Sequence, residues 1–218
     1  MSDESLFREV DEEVRQEQYK KLWDRYGNVI VAGCVLVVAV VAGYKGYEYW
    51  QLKQSQTAGE AFFSAVKTAG KGDTAAAIAQ FQTIGHAGFG VLAKLREANL
   101  LAETGKANEA VAIYDAVAAD ASNHASLRDL AKIRAALVLA DTATPADLEA
   151  RVKAFDEPGN SWRHTAREIM AAANWRVKDY AATDAQVKAI LADSEAPAGV
   201  RQRARMLADL LVPLLAAK

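Results

Sequence analysis

The feature that most constrains this chain is a run of 19 uncharged residues, from Tyr26 to Tyr44, near its N-terminus. Its centre, residues 29–43, contains only Val, Ile, Leu, Ala, Gly and Cys. A helix of 19 residues is about 28 Å long, close to the roughly 30 Å hydrocarbon core of a bilayer. Aromatic residues flank the run on both sides, as in the interfacial belts of spanning helices. The sequence therefore predicts a transmembrane anchor over residues 26–50.

An uncleaved anchor fits better than a signal peptide, because 25 residues precede the apolar run and eight of them are acidic, whereas a signal begins with a short basic region. The stretch Val31–Cys34 resembles a lipoprotein cleavage box, but the apolar run continues beyond Cys34. We therefore interpret Cys34 as a small residue within the span. The residues assigned to the span are Val29, Ile30, Val31, Cys34, Leu36, Val38, Val41 and Gly43.

The distribution of basic residues predicts the orientation of the anchor. Five Lys or Arg residues lie in the 20 positions before the apolar run and two lie in the 20 positions from Lys45 onward. This difference favours a cytoplasmic N-terminus. Residues 1–25 would then form a cytoplasmic arm, and residues 51–218 would lie outside, in the periplasm of a Gram-negative cell. The arm has apolar residues at roughly helical spacing, which fit either a solvated helix leading into the membrane or a cytoplasmic docking helix.

Beyond Trp50 the sequence predicts an all-α domain. The chain contains 46 Ala and only 4 Pro, and no alternating strand pattern occurs. Turn residues divide the domain into eight helices between residues 53 and 193, with a ninth from about Val200. One break is expected across Gly85–Gly90, as a flexible connection. The last segment, residues 197–218, is predicted to be a capping helix, with a partner contact through Leu210–Leu215 as the alternative.

An internal repeat organises this domain. Gly72 and Gly105, Ala77 and Ala110, and Phe81 and Tyr114 are each 33 residues apart, and looser units follow after 38 and 35 residues. Small residues are needed where antiparallel helices cross closely, and larger residues fill the groove against the next helix. The residues predicted to carry this packing are Ala65, Ala77, Phe81, Ala98, Leu101, Gly105, Ala110, Tyr114, Ala136, Val152, Ala171 and Val187.

The pattern Ala98…Leu101…Gly105…Ala110…Tyr114 resembles a tetratricopeptide repeat. The tryptophan of that consensus is replaced throughout, and the first-helix positions hold Ala61, Lys94, Lys132 and Arg167 instead. The resemblance implies an α-solenoid of about four helix pairs. With the predicted anchor and cap, the expected fold is all-α: an N-terminal transmembrane helix, the solenoid and a C-terminal capping helix.

The whole architecture resembles the bacterial ancillary SecYEG translocon subunit family: an acidic N-terminal arm, one anchor and outward repeats. Members of that family are single-pass proteins of the inner (cytoplasmic) membrane with a periplasmic tetratricopeptide-like domain. The resemblance implies an association with the SecYEG translocon and with a periplasmic chaperone or prolyl isomerase.

Signatures of catalysis and of cofactor binding are missing from the sequence. The three His residues, at 86, 124 and 164, are isolated, and the sole Cys lies in the predicted span. Neither a Gly-x-Ser-x-Gly elbow nor a phosphate-binding loop occurs. A solvated loop is expected at Asp156-Glu157. The formal net charge of −2 argues against nucleic acid. We predict no enzyme activity, no cofactor and no metal.

Three basic residues are candidates for a partner-binding groove. Lys94, Lys132 and Arg167 occupy the same repeat position, which predicts that they form one row on the concave face, suited to an extended or acidic chain. The alternative is ordinary solvated charge, partnered by Glu97, Asp129 and Glu168.

These patterns together predict a membrane-anchored, non-enzymatic protein-interaction scaffold that assists the Sec translocon and periplasmic chaperones with newly exported proteins. The alternative is an adaptor for envelope assembly or division that uses the same repeats. An enzyme is the third hypothesis.

Overall fold

The computed structural model describes residues 3–85 and 87–216, with the side chains of Arg15 and of residues 19–85 and 88–216. This part of the chain consists of helices and their connections, with no strand, as the sequence predicts. The helices are α1 (Asp3–Gly70), α2 (Thr74–Gln82), α3 (Ala87–Glu103), α4 (Ala107–Ala119), α5 (Ala125–Leu139), α6 (Pro145–Val152), α7 (Arg163–Arg176), α8 (Tyr180–Leu191) and α9 (Ala198–Ala216). A short 3₁₀ helix, Lys153–Phe155, follows α6.

The chain divides into two compact units, residues 1–56 and residues 57–218. In the first unit, the large apolar side chains between Val29 and Val41 are 46–68% exposed, and Cys34 is exposed as well. Among the described residues, α1 is the one helix long and apolar enough to cross a membrane. It continues through both predicted segment boundaries, after residues 25 and 50. Of the apolar residues that suggested a docking arm, those at 6, 7, 10 and 14 lie outside the described side chains. The others, Tyr19, Leu22 and Trp23, are exposed.

The second unit is a succession of helices in which each packs against the next, from α2 to α9. Its core consists of four apolar clusters, each contributed by three consecutive helices. The clusters meet at α3, α5 and α7, which bury side chains on two sides. This one-dimensional arrangement is that of an α-solenoid, in which each repeat contacts only its neighbours.

The residues predicted to carry the packing lie at the helix crossings. Ala98 on α3 and Ala110 on α4 are fully buried. Tyr114, also on α4, is 2% exposed and belongs to the same apolar cluster, which includes residues of α5. A methyl side chain at a crossing lets two helices approach closely, while Tyr114 fills the remaining space. Gly105 differs from the rest of the predicted set, because it lies in an exposed turn with φ of +81°.

The repeat spacing also governs the turns. Gly72, Gly105 and Lys178 occupy equivalent positions between helices, and all have positive φ, at +87°, +81° and +63°. The residue after each turn is the N-cap of the second helix of the pair. Asp73 and Asp179 accept hydrogen bonds from the backbone N–H three residues on, at 3.2 and 3.0 Å. Side-chain oxygens at this position satisfy an N–H group that has no partner within the helix.

The other two N-caps lie at the same repeat position. Thr144 caps α6 by accepting from the N–H of Asp147 at 3.2 Å. Lys106 precedes α4 without a side-chain cap, although its backbone angles resemble those of Asp73.

One boundary differs from the sequence prediction, and the last helix lies within its predicted segment. Helix α3 begins at Ala87, so Gly88 and Gly90 are helical and not part of a flexible connection. The ring centroids of Phe89 and Phe62 are 5.8 Å apart, and this packing accounts for the early start of the helix. Helix α9 begins at Ala198 and continues past Pro213 to Ala216. It packs against α8 and α7 and buries Leu211, as a capping helix does.

Candidate protein-binding groove

An open groove of about 400 Å³ lies among the first helices of the repeats. Its apolar lining comes from Phe62 on α1, Leu92 and Leu95 on α3, and Leu130 on α5. Its polar lining consists of Arg96, Asn99, Tyr114 and Arg134.

The groove is lined by residues at equivalent positions of neighbouring repeats. Leu92, Leu95, Arg96 and Asn99 follow the spacing i, i+3, i+4, i+7 and so share one face of α3. Arg134 lies 38 residues after Arg96, and both precede a buried packing alanine by two positions. The groove therefore presents the same residue type from two neighbouring repeats.

The polar part of the groove is positively charged. Arg96 and Arg134 are exposed, and neither forms an ion pair or a hydrogen bond with a described residue. Both charges act on Tyr114, the buried residue at the floor: burial raises the pKa of its phenol, and Arg134 and Arg96 oppose that rise. Glu103 reinforces the rise in the pKa of Tyr114, and its carboxylate accepts a hydrogen bond from Asn99 at 2.7 Å.

The structure places none of the three predicted groove residues in this lining. Lys94 and Lys132 are exposed, and Lys132 Nζ lies 3.3 Å from Asp129 and 5.8 Å from the centre of the Phe155 ring. The reason is helical geometry: at about 100° per residue, positions two apart on a helix point in nearly opposite directions. Arg96 and Arg134, two residues after the lysines, line the groove instead.

The third predicted residue, Arg167, belongs to an ion-pair cluster between α7 and the segment after α8. Its Nε donates to Asp156 at 2.6 Å, and its Nη1 lies 3.5 Å from Asp193. Asp156 is therefore an ion-pair partner and not merely part of a solvated loop. Arg163, with a side chain 8% exposed, contacts the same Asp193 oxygen at 2.6 Å and Glu195 at 2.9 Å.

The cluster stabilises the charged form of Asp193. Burial alone would raise the pKa of this carboxyl, but a hydrogen bond from the N–H of Glu195 and the charges of Arg163, His164 and Arg167 lower it overall. The alternative prediction is that Glu97, Asp129 and Glu168 partner the three basic residues. Asp129 does pair with Lys132, whereas Glu97 accepts a hydrogen bond from Gln82 and Glu168 binds Arg203.

A second pocket, of about 460 Å³, lies among α7, α8 and α9. Its lining includes Trp175, Ile190 and Leu207, together with the charged residues Asp141, Glu168, Arg176 and Arg203. Glu168 and Arg203 form a bidentate ion pair with distances of 2.7 and 2.9 Å.

The described residues contain no group of three or more His, Cys, Asp or Glu side chains that could hold a metal ion. His124 is the N-cap of α5, since its Nδ1 accepts from the N–H of Ser126 at 3.3 Å. His164 is buried, 3.9 Å from Asp193. His86 lies outside the described residues.

The helix pairs, their small-residue crossings and their shared groove define a helical-repeat protein. Residues 20–159 match the model of the tetratricopeptide repeat-like domain, which is well over half of the chain. The chain belongs to the tetratricopeptide repeat-like domain family. Domains of this kind mediate protein–protein interactions and are typically not enzymes. No curated protein and no solved structure matches the chain.

Proposed function

We propose that this protein is a membrane-anchored scaffold whose groove binds segments of other proteins. The observation that carries the proposal is the groove itself, which repeat-equivalent residues of α3 and α5 build together with Phe62 and Tyr114. The anchor would confine the groove to the membrane surface, and this raises its effective concentration toward partners there.

The partners we propose are the SecYEG translocon and a periplasmic chaperone or isomerase that acts on newly exported proteins. The support is the resemblance of the architecture to ancillary translocon subunits. Residues 1–25 would be cytoplasmic, residues 26–50 would form the anchor, and residues 51–218 would lie in the periplasm. The excess of basic residues before the apolar run supports this orientation.

A second candidate is an adaptor for envelope assembly or division. It is favoured by an exposed apolar strip on α9, away from the groove lining. Met206 and Leu210, four positions apart and so on one face of the helix, are 61% and 59% exposed there. An adaptor needs two separate partner surfaces, and this strip would supply the second.

The test is recovery of partners from crosslinked membranes in mild detergent, with four tagged baits. These are the full chain, residues 1–56 alone, the full chain with Leu92→Glu in the groove, and a control variant of the full chain. Leu137→Glu is the matched control, because Leu137 is similarly exposed, at 44% against 37%, and does not line the groove.

Translocon subunits and periplasmic folding factors recovered by the full chain and the control, but lost with Leu92→Glu, would support the proposal. Equal recovery by residues 1–56 would show that the anchor is the docking element. Recovery of envelope-assembly or division proteins in their place would favour the second candidate.

A further inference from the structure

We propose that the groove selects a partner segment with one acidic side chain, Asp or Glu, among large apolar residues. The proposal rests on the proposed function and names the class of peptide that the groove would bind. The acidic group would be the side chain of an internal residue, bound between Arg96 and Arg134 and above Tyr114.

The first argument comes from comparing the arginines of the domain. Arg151 makes two hydrogen bonds to the carboxylate of Asp115, at 2.8 and 3.0 Å. Arg163, Arg167 and Arg203 are also paired with carboxylates. Arg96 and Arg134 have no carboxylate partner among the described residues. Arg128, Arg176, Arg201 and Arg205 have none either, but Arg96 and Arg134 differ from them in lining the groove together.

The second argument is the convergence of charge. Arg96 and Arg134 come from different repeats, yet both act on the phenol of Tyr114. The Tyr114 hydroxyl forms no hydrogen bond with a described residue. A carboxylate at this point would accept charge-assisted hydrogen bonds, which are shorter and stronger than neutral ones. A lysine or arginine side chain would be repelled there.

The third argument is the apolar lining, which excludes a purely acidic ligand. Leu92 is 37% exposed, and Phe62, Leu95 and Leu130 are partly exposed beside it. Covering these side chains with a partner's apolar residues removes hydrocarbon from water, which is the main favourable term in association. A ligand that satisfies both parts of the groove therefore combines apolar residues with a single negative charge.

The experiment is calorimetric titration of the full-length protein in lipid nanodiscs with blocked peptides. Each peptide is 12 residues long, N-acetylated and C-amidated, and rich in Leu, Phe and Ala, with Glu, Gln or Lys at its centre. The Glu peptide is expected to bind about tenfold more tightly than the Gln peptide, and the Lys peptide more weakly than both. High salt should narrow the difference between Glu and Gln.

Matched variants assign the preference to the groove. Arg96→Glu with Arg134→Glu is expected to reverse it, so that the Lys peptide binds best. Lys94→Glu with Lys132→Glu introduces the same charge change on the same two helices and is expected to leave it intact. If the reversed variant does not fold, Arg96→Gln with Arg134→Gln serves instead, and the Glu and Gln peptides should then bind alike.

Equal binding of the Glu and Gln peptides to the wild-type protein would overturn the inference and leave an apolar peptide site. Loss of the preference in the lysine variant would overturn it too. So would binding that requires a free C-terminal carboxylate. If no peptide binds and Leu92→Glu still recovers every partner, the proposed function itself fails.

Discussion

At the scale of single residues, the packing of this domain depends on alanines at the helix crossings. Ala110 is fully buried against α3 and α5. Replacing Ala110 with Leu adds a branched side chain where no space exists, and we expect a loss of about 1–3 kcal/mol in the free energy of unfolding. Chemical denaturation measures this loss.

The control for that change is Ala112→Leu, because Ala112 is exposed on the same helix. It should alter the free energy of unfolding by less than about 0.5 kcal/mol. Equal effects of the two variants would show that the crossing at Ala110 tolerates a larger side chain.

The ion-pair cluster gives the domain a defined pH dependence. The folded-state pKa of Asp193 lies below its ordinary value of 3.8, so the carboxylate contributes stability above that pH. The contribution is lost as the pH falls through the folded-state pKa. Asp193→Asn should therefore lower the denaturation midpoint at pH 7. The loss of stability between about pH 5 and pH 3 should be smaller in this variant than in the wild-type protein.

Glu195→Gln is the comparison for Asp193→Asn, since Glu195 contacts the same arginine but is 73% exposed. An exposed pair contributes little, so this variant should keep the wild-type pH profile. A profile changed as much by Glu195→Gln as by Asp193→Asn would contradict the assignment to Asp193.

Sequence reasoning reached some of these residues and missed others for physical reasons. The 33-residue spacing identified Ala110 and Tyr114, because packing positions recur with the repeat. It led to Lys94 and not to Arg96, because spacing alone does not say which way a helix faces. Arg163 and Asp193 are 30 residues apart and follow no period, so only the fold brings them together.

At the scale of helices, the repeat spacing predicts one position where a substitution should stabilise the domain. Lys106 is the uncapped member of the N-cap series, with the backbone conformation of its capped equivalents. Lys106→Asp supplies an acceptor for the unpaired N–H groups of α4. We expect a gain of about 1 kcal/mol in the free energy of unfolding.

The gain from Lys106→Asp should exceed that of Lys106→Ala in thermal and chemical denaturation. The alanine variant removes the exposed Lys106–Glu109 ion pair, at 3.6 Å, without adding a cap. Equal free energies of unfolding for the two variants would mean that the side chain of Asp does not reach the backbone of α4.

Helix boundaries were predictable where glycine ends a helix and less so elsewhere. The turns at Gly72 and Gly105 were expected, since positive φ favours glycine there. The equivalent turn at Lys178 gave no such signal. The start of α3 was misjudged because the packing of Phe89 overrides the low helix propensity of its two flanking glycines.

At the scale of the whole molecule, the proposed anchor can be tested by one charge. Val35 lies near the middle of the uncharged run. A lysine at the centre of a spanning helix raises its insertion free energy by about 2.5–3.5 kcal/mol. Val35→Lys is therefore expected to increase the fraction of protein released from membranes by carbonate extraction.

Gln51→Lys adds the same charge outside the run and should leave the protein in the membrane fraction. Release of both variants, or of neither, would argue that residues 26–50 do not form the anchor.

The four core clusters each span three helices, and neighbouring clusters share only one. Such a domain can unfold stepwise, starting from α9 and proceeding one repeat at a time toward the N-terminal repeats. The groove proposed to bind peptides is lined by residues of the clusters at the opposite end of the domain. The groove would therefore still bind a peptide when the last repeat is locally unfolded. Amide hydrogens should exchange faster in α9 than in α3.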